Sequence, residues 1–298
     1  MSAGRYAPSP SGDLHLGNLR TAILAWLFAR ASGRELLLRY EDVDTSRTVP
    51  GSAERQRADL EALGVTFDRA AIFQSHRRQI YDDAVGQLTA RDLVYECFCT
   101  RREIQDAPRA PHAPPGAYPG TCRELTAQQL RRRRTERPPA LRLRAGTAQA
   151  SVQDSLLGVL TAAVDDFVLV RNDGVAAYNL AVVVDDQLTG VDQVVRADDL
   201  ADSAPRQDYL RELLYREEAA AVDYAHVPLV VTQQGRRLAK RDGAVTLAEL
   251  AERGVSPDRV RDALLESLNL PAGPLENVLE VFDPAALPRE PWVWEPSR

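Results

Sequence analysis

The opening of the chain restricts its fold more than any other feature. RYAPSPSGDLHLGN reads as a short strand that ends in a loop rich in proline, serine and glycine and leads into a helix. Leu19, Ala22, Ile23, Trp26 and Leu27 recur at helical spacing until Gly33 closes that helix. ELLLRYED supplies a buried strand from Glu35 to about Tyr40. Ser52 begins a second helix, with Leu60 and Leu63 among its apolar positions before Gly64 stops it, and a third runs from about His76 to Ala90. Strands that alternate with helices are joined by crossovers, which predicts a doubly wound parallel sheet with its ligand at the carboxyl ends of the strands. The first loop lies at such an end.

From Tyr95 to about Leu143 the pattern changes to Cys, Pro and Arg, and QDAPRAPHAPPGAYPG holds too much proline for regular structure, so this stretch reads as an insertion. LTAAVDDFVLVRNDGVAAYNLAVVVDD then reads as two strand-like runs about an NDG hairpin turn. After HVPLVV and the loop GRRLAKRDG, 55 residues remain, enough for two or three helices. The expected division is residues 1–94 and 144–243 for the two halves of an α/β domain, 95–143 for the insertion and 244–298 for a short helical region.

Charged residues at 27% and hydrophobic ones at 44% are ordinary for a globular chain. No apolar run approaches the roughly 20 residues of a membrane helix, and the N-terminus lacks the apolar core of a signal peptide. A cytoplasmic protein with no membrane partner is expected. The net charge of -6 decides nothing about nucleic acid, since a local basic face binds phosphates on an acidic protein too. The run Arg131 to Arg134, on a helix beginning near Thr126, reads first as a solvated face and second as a sequence-independent phosphate contact. Of the 37 basic residues only Lys240 is lysine. Arginine serves wherever a surface positive charge suffices, and Lys240 marks a place where it did not.

In PSPSGDLHLGN the strand-to-helix junction turns backbone N–H groups and the positive end of the helix dipole toward a phosphate. His15 and Asn18 add polar donors, and Gly17 permits close approach to the backbone. The loop is read as an ATP site. Cys97, Cys99 and Cys122 fall within one 26-residue stretch, which suits a metal site in a reducing compartment better than a disulfide framework. Three thiolates favour a structural zinc that wants a fourth ligand. His112, in the same loop, is the chemically commoner choice; three structural cysteines without metal are the alternative.

The pattern P-x-P-S-G-x-L-H-x-G resembles the HIGH signature of class I aminoacyl-tRNA synthetases in the form used by the glutamyl and glutaminyl branch, with Asn18 in the fourth place. RYEDVDTSR and YNLAVVVDDQLTGVDQVVRADDL are similar to two further segments of that branch. RRLAKRDG resembles its KMSKS loop, Arg237, Leu238, Ala239, Lys240 and Arg241 standing at the five positions. The resemblance runs from about Arg5 to Ala244. It implies a Rossmann-like catalytic domain in which Pro10, His15, Gly17, Asn18 and Lys240 bind ATP with Mg²⁺, His15 and Lys240 acting on the phosphates. Glu41 would hold the substrate ammonium and Arg5 the side-chain carboxylate, with Ala7, Ser9, Tyr178 and Arg196 completing the pocket. A guanidinium pairs with a carboxylate through two parallel hydrogen bonds and offers a neutral carboxamide no such charge, so glutamate is favoured over glutamine. The fourth zinc ligand it implies is Tyr118.

Two features are similar to the truncated glutamyl-queuosine tRNA(Asp) synthetases of this family. Val182 stands where full-length glutamyl-tRNA synthetases commonly carry asparagine, and 55 residues after the KMSKS-like loop are too few for an anticodon-binding part. The expected partners are ATP, L-glutamate and tRNA(Asp) carrying queuosine, and the expected state is a monomer. The alternatives are a synthetase charging tRNA(Glu) and an inactive zinc-bearing RNA-binding module.

Overall fold

The computed structural model describes residues 2–106, 118–219, 221–238 and 246–294. His112, Ala239, Lys240 and Arg241 therefore lie outside the described residues. The first half runs β1 (Ala3–Tyr6), α1 (Leu16–Ala31), β2 (Glu35–Tyr40), α2 (Ser52–Ala62), β3 (Ile72–Phe73) and α3 (Arg78–Ala90). There follow β4 (Val94–Cys97), α4 (Arg101–Asp106), α5 (Ala127–Glu136), β5 (Ala140–Leu143), β6 (Gln149–Asp154), β7 (Gly158–Ala163) and β8 (Val168–Val170). The remainder is α6 (Tyr178–Thr189), β9 (Val191–Ala197), α7 (Ala204–Tyr215), β10 (Asp223–Val227), β11 (Val230–Val231), α8 (Leu247–Glu252), α9 (Pro257–Glu266), α10 (Leu275–Leu279) and β12 (Trp292–Val293).

Seven strands form the main sheet in the order β3-β2-β1-β9-β10-β6-β7, parallel throughout except for the β6/β7 hairpin. β4, β5 and β8 make a separate antiparallel sheet. The chain winds outward from β1 to β3 on one side and from β9 to β10 on the other. The order therefore reverses between β1 and β9, and a crevice opens at their carboxyl ends.

Leu36, Leu37 and Leu38 of β2 are all buried, which places helices on both faces of the sheet. α1 is buried nearly all round, from Leu16 and Leu19 to Ala29. One side packs on β1, β2 and β9 and the other is covered by α9 and α10. On the opposite face α6 and α7 share an apolar cluster with Tyr81 and Leu88 of α3. Among the described residues no helix is long and apolar enough to cross a membrane.

The NDG turn forms, with the Arg171 N–H donating to Val175 O at 2.8 Å, but the run after it is a helix and not a second strand. Leu180, Ala181, Val182, Val183 and Val184 are all buried because α6 is enclosed between the sheet and its neighbouring helices. A helix buried on every side shows the same unbroken apolar run as a buried strand, so periodicity could not separate them. Gly190, in the left-handed region at φ 76°, ends it. A 3-10 turn at Gln74–Arg77 delays the third helix to Arg78.

Candidate active site

The loop after β1 is fixed from below by α2. Gln56 Nε2 donates to the carbonyls of Ser9 and Gly12 at 3.1 and 2.6 Å, and Ser52 Oγ to that of Pro10 at 2.5 Å. The loop runs into α1, where His15 is the N-cap: its Nδ1 accepts from the Gly17 and Asn18 amides at 3.1 and 3.4 Å, and Asn18 Oδ1 accepts from the His15 amide at 3.3 Å. Because Nδ1 is an acceptor, the proton of the neutral ring sits on Nε2. A Cβ at Gly17 would stand 3.0 Å from the imidazole, so a side chain there would crowd the cap.

A cavity of about 630 Å³ occupies the crevice above β1, β2 and β9. Arg5, Ala7, Ser9, Glu41, Tyr178 and Arg196 line it together with His15 and Asn18, although Arg5 and Arg196 are far apart in the chain. Gly17 borders a small adjoining cavity with His15, Asn18 and Arg237, and Pro10 borders another with Ser9, Glu41 and Arg47. Val182 is buried one helical turn beyond Tyr178 and does not line the cavity. Arg237, the first position of the KMSKS-like loop, lines the cavity and is ion-paired to Asp199.

The floor is a buried charge cluster. Asp186 pairs with Arg39 and lies 3.6 Å from Arg5 Nε, Arg39 reaches Glu41 at 3.3 Å, and Arg5 Nη1 donates to Val195 O at 3.3 Å. Asp185 accepts from Arg77, Gln74 and Tyr81 at 2.6 to 2.8 Å. Burial works against the Arg39 cation, but Asp186, Glu41 and Asp185 together outweigh it and hold its pKa above the ordinary value. Burial dominates at Arg5 and lowers it, and burial raises the Glu41 carboxyl against the opposing pull of Arg39 and Arg5. Arg5, Arg47, Arg196 and Arg237 thus line the cavity with Glu41 and Asp13, above a base of compensated charge.

Arg196, buried on β9, is held at every nitrogen. Nε donates to His226 Nε2 at 3.0 Å, Nη1 to Gln207 Oε1 at 2.8 Å and to the Tyr178 hydroxyl at 3.2 Å, and Nη2 to Leu200 O at 3.3 Å.

Apart from this crevice, Cys97, Cys99 and Cys122 bring their sulfurs within 4.8 Å of one another. The Tyr118 hydroxyl lies 3.3 and 3.7 Å from the sulfurs of Cys97 and Cys99 and accepts from the Cys122 amide at 2.8 Å, while the Arg142 guanidinium covers its ring at 3.7 Å. A tetrahedral ion with bonds of about 2.3 Å to sulfur sets its thiolates about 3.8 Å apart, so this donor set fits one. On α5, Arg134 pairs with Glu96 at 2.8 Å and both Arg132 and Arg133 with Glu136 at 3.4 Å, and the run Arg131 to Arg134 is exposed.

Residues 3–283 match the family model described as tRNA synthetases class I (E and Q), catalytic domain. The chain belongs to this family of class I synthetases. It is 59% identical over 98% of its length to the "Glutamyl-Q tRNA(Asp) synthetase" of Nocardia farcinica, covering 92% of that protein, and 43% identical to the protein of the same name from Symbiobacterium thermophilum, covering 98% of the chain and 95% of the relative. Among solved structures it superposes on a glutamate-tRNA synthetase from Elizabethkingia anophelis with a TM-score of 0.80 at 27% identity, over 99% of this chain and 68% of that one.

The synthetase is thus a ligase of the aminoacyl-tRNA type with a Rossmann-like, mostly parallel sheet. Sequence reasoning did not single out Arg39, Asp154, Asp185, Asp186, Gln207 or His226. One signal was available for the two adjacent aspartates. They close an apolar helix, and a carboxylate that follows three valines into a core must be met by a cation.

Proposed function

We propose that this synthetase activates L-glutamate with ATP and transfers it to the queuosine base of tRNA(Asp). The observation that carries the first half is the cavity, where Arg5 and Arg196 face Glu41 beside the capped start of α1. Two guanidiniums and one carboxylate complement the two carboxylates and one ammonium of glutamate. The second half is supported by the relatives named glutamyl-Q tRNA(Asp) synthetase, which this chain matches over nearly their whole length.

In the first step the glutamate α-carboxylate oxygen attacks the α-phosphorus of ATP in line. The bond to the bridging oxygen breaks, and pyrophosphate leaves with its electron pair and with the Mg²⁺ that accompanies ATP. Arg5 and Arg196 orient the amino acid, Glu41 holds its ammonium, and His15 Nε2 and Lys240 steady the phosphates, so that catalysis is mostly positioning and charge neutralisation. Pro10, Gly17 and Asn18 shape the nucleotide side. In the second step a hydroxyl of the queuosine cyclopentenediol attacks the adenylate carbonyl, giving the ester and AMP.

Pyrophosphate exchange with glutamate in the absence of tRNA tests the first step, and transfer to tRNA from queuosine-containing and queuosine-deficient cells tests the second. Exchange together with queuosine-dependent transfer is expected. Transfer irrespective of queuosine favours the charging of tRNA(Glu), and no exchange favours an RNA-binding module.

We assign residues 1–94 and 144–243 to the catalytic domain, 95–143 to an insertion that carries zinc, and 244–298 to a short helical region. Cys97, Cys99, Tyr118 and Cys122 would hold one zinc per chain, which supplies a cross-link between segments that have few apolar side chains. Elemental analysis is expected to find one zinc, lost in Cys99→Ser and Cys122→Ser, weakened in Tyr118→Phe and kept in His112→Ala. A zinc-free native protein removes the site, and the reverse order of the last two variants makes His112 the ligand.

A further inference from the structure

Behind Arg196 lies a second row of groups that reach no solvent. His226 on β10 is 0% exposed and Asp154 at the end of β6 is 1% exposed, and His226 Nδ1 is 2.6 Å from Asp154 Oδ2. The protons in this row follow from the chemistry of its ends. An arginine Nε only donates, so His226 Nε2, which faces it, must carry a lone pair. The ring is then the neutral Nδ1–H tautomer, and Nδ1–H donates to the Asp154 carboxylate. Burial, joined by the charges of Arg196 and Arg5, lowers the His226 pKa against the pull of Asp154 and agrees with the neutral form.

The same logic runs outward to the cavity. Arg196 Nη1 donates to the Tyr178 oxygen, so the Tyr178 hydroxyl hydrogen is left to donate elsewhere. Gln207 cannot reverse this, because its Oε1 accepts from Arg196 and its Nε2 donates to Asn179 Oδ1 at 3.0 Å. Asp154 is fixed too: Oδ1 accepts the Leu156 and Leu157 amides at 2.8 and 2.9 Å, and Oδ2 accepts the His226 amide at 3.1 Å. The direction of every link is therefore fixed: Arg196 donates inward to His226, which donates to Asp154, and outward to Tyr178, so that the hydrogens left for the cavity are those of donors.

We propose that Asp154 and His226 are positioning residues that fix the orientation of Arg196 and, through it, of the Tyr178 hydroxyl, so that this wall accepts the side-chain carboxylate of glutamate and rejects the carboxamide of glutamine. Neither touches substrate; both act through Arg196. A carboxylate offers acceptors wherever a donor points. A carboxamide offers one oxygen, and its NH₂ would meet an O–H or N–H that has nowhere else to turn. The inference rests on the reading of this cavity as a glutamate site.

Asp154→Asn tests it with almost no change of shape. The single carboxamide oxygen remains with the two amides of Leu156 and Leu157, which turns NH₂ toward His226 Nδ1. The ring must then carry its proton on Nε2, against Arg196 Nε–H, and Arg196 loses its aim. In pyrophosphate exchange the variant is expected to lose roughly 10- to 100-fold in kcat/KM for glutamate, with KM for ATP unchanged and with the preference for glutamate over glutamine reduced by a similar factor. His226→Gln keeps an acceptor for Arg196 and a donor for Asp154, and should lose less.

Arg196→Lys removes the guanidinium through which both act. If both act through Arg196, Asp154→Asn added to Arg196→Lys costs at most about 2-fold more than Arg196→Lys alone. Should Asp154→Asn fail to fold, His226→Gln with Arg196→Lys gives the same cycle. Full additivity, an unchanged glutamate preference, or equal losses for ATP and glutamate would overturn the proposal while the native protein remains active with glutamate. A native protein without glutamate-dependent exchange overturns the reading of the cavity and takes this inference with it.

Discussion

Arg5→Gln is expected to weaken glutamate use by about 2–5 kcal/mol, the cost of leaving a buried carboxylate without its charge-assisted partner, while KM for ATP stays nearly unchanged. Arg5 is 4% exposed on β1, and its guanidinium is oriented by Val195 O and by Asp186 at 3.6 Å. Removing it does not strand Asp186, which keeps its pairing with Arg39. The folded cluster should therefore survive, and the loss should fall on the substrate. Lowering by burial does not empty the site of charge, since a guanidinium remains protonated at any working pH. Steady-state exchange over a range of glutamate concentrations measures the effect. An unchanged KM and kcat/KM for glutamate would remove Arg5 from the pocket.

Short-range patterns made the first part of this fold legible. The strand Glu35–Tyr40 has the bounds that its apolar run and flanking residues suggest, and Thr126 caps α5, accepting from the Gln129 amide. The cavity residues were legible only through resemblance to a family, because nothing in the spacing of Arg5, Glu41, Tyr178 and Arg196 says that β1, β2, α6 and β9 meet. α6 was misread because burial on all sides erases the helical period that an amphipathic helix displays. Asp154, His226 and Gln207 were missed for a related reason. Each is an ordinary polar residue in sequence; the sheet sets Asp154 behind Arg196 by laying β6 next to β10, out of chain order, His226 comes from β10, and Gln207 reaches Arg196 from α7.

Lys240 carries the other large expected effect. The described residues on either side of its segment are Leu238 and Thr246. Leu238 is buried with its amide donating to Val230 O at 3.0 Å, Arg237 lines the cavity, and Thr246 bridges to His15. As the α-phosphorus is attacked, charge moves onto the bridging oxygen and the departing pyrophosphate, so a cation near them stabilises the transition state more than bound ATP. Lys240→Ala should lower kcat for adenylate formation about 10²- to 10³-fold, with a much smaller change in KM for ATP. Lys240→Arg is the sharper variant, because it keeps the charge and replaces a compact ammonium on a flexible stem with a planar fork. In a chain whose other basic residues, Lys240 aside, are all arginine, charge alone would have been met by arginine here as well. The arginine variant is accordingly expected to be impaired, though less than the alanine one. Full exchange activity in Lys240→Arg would make the lone lysine an accident of composition, and full activity in Lys240→Ala would leave this loop without a part in the chemistry.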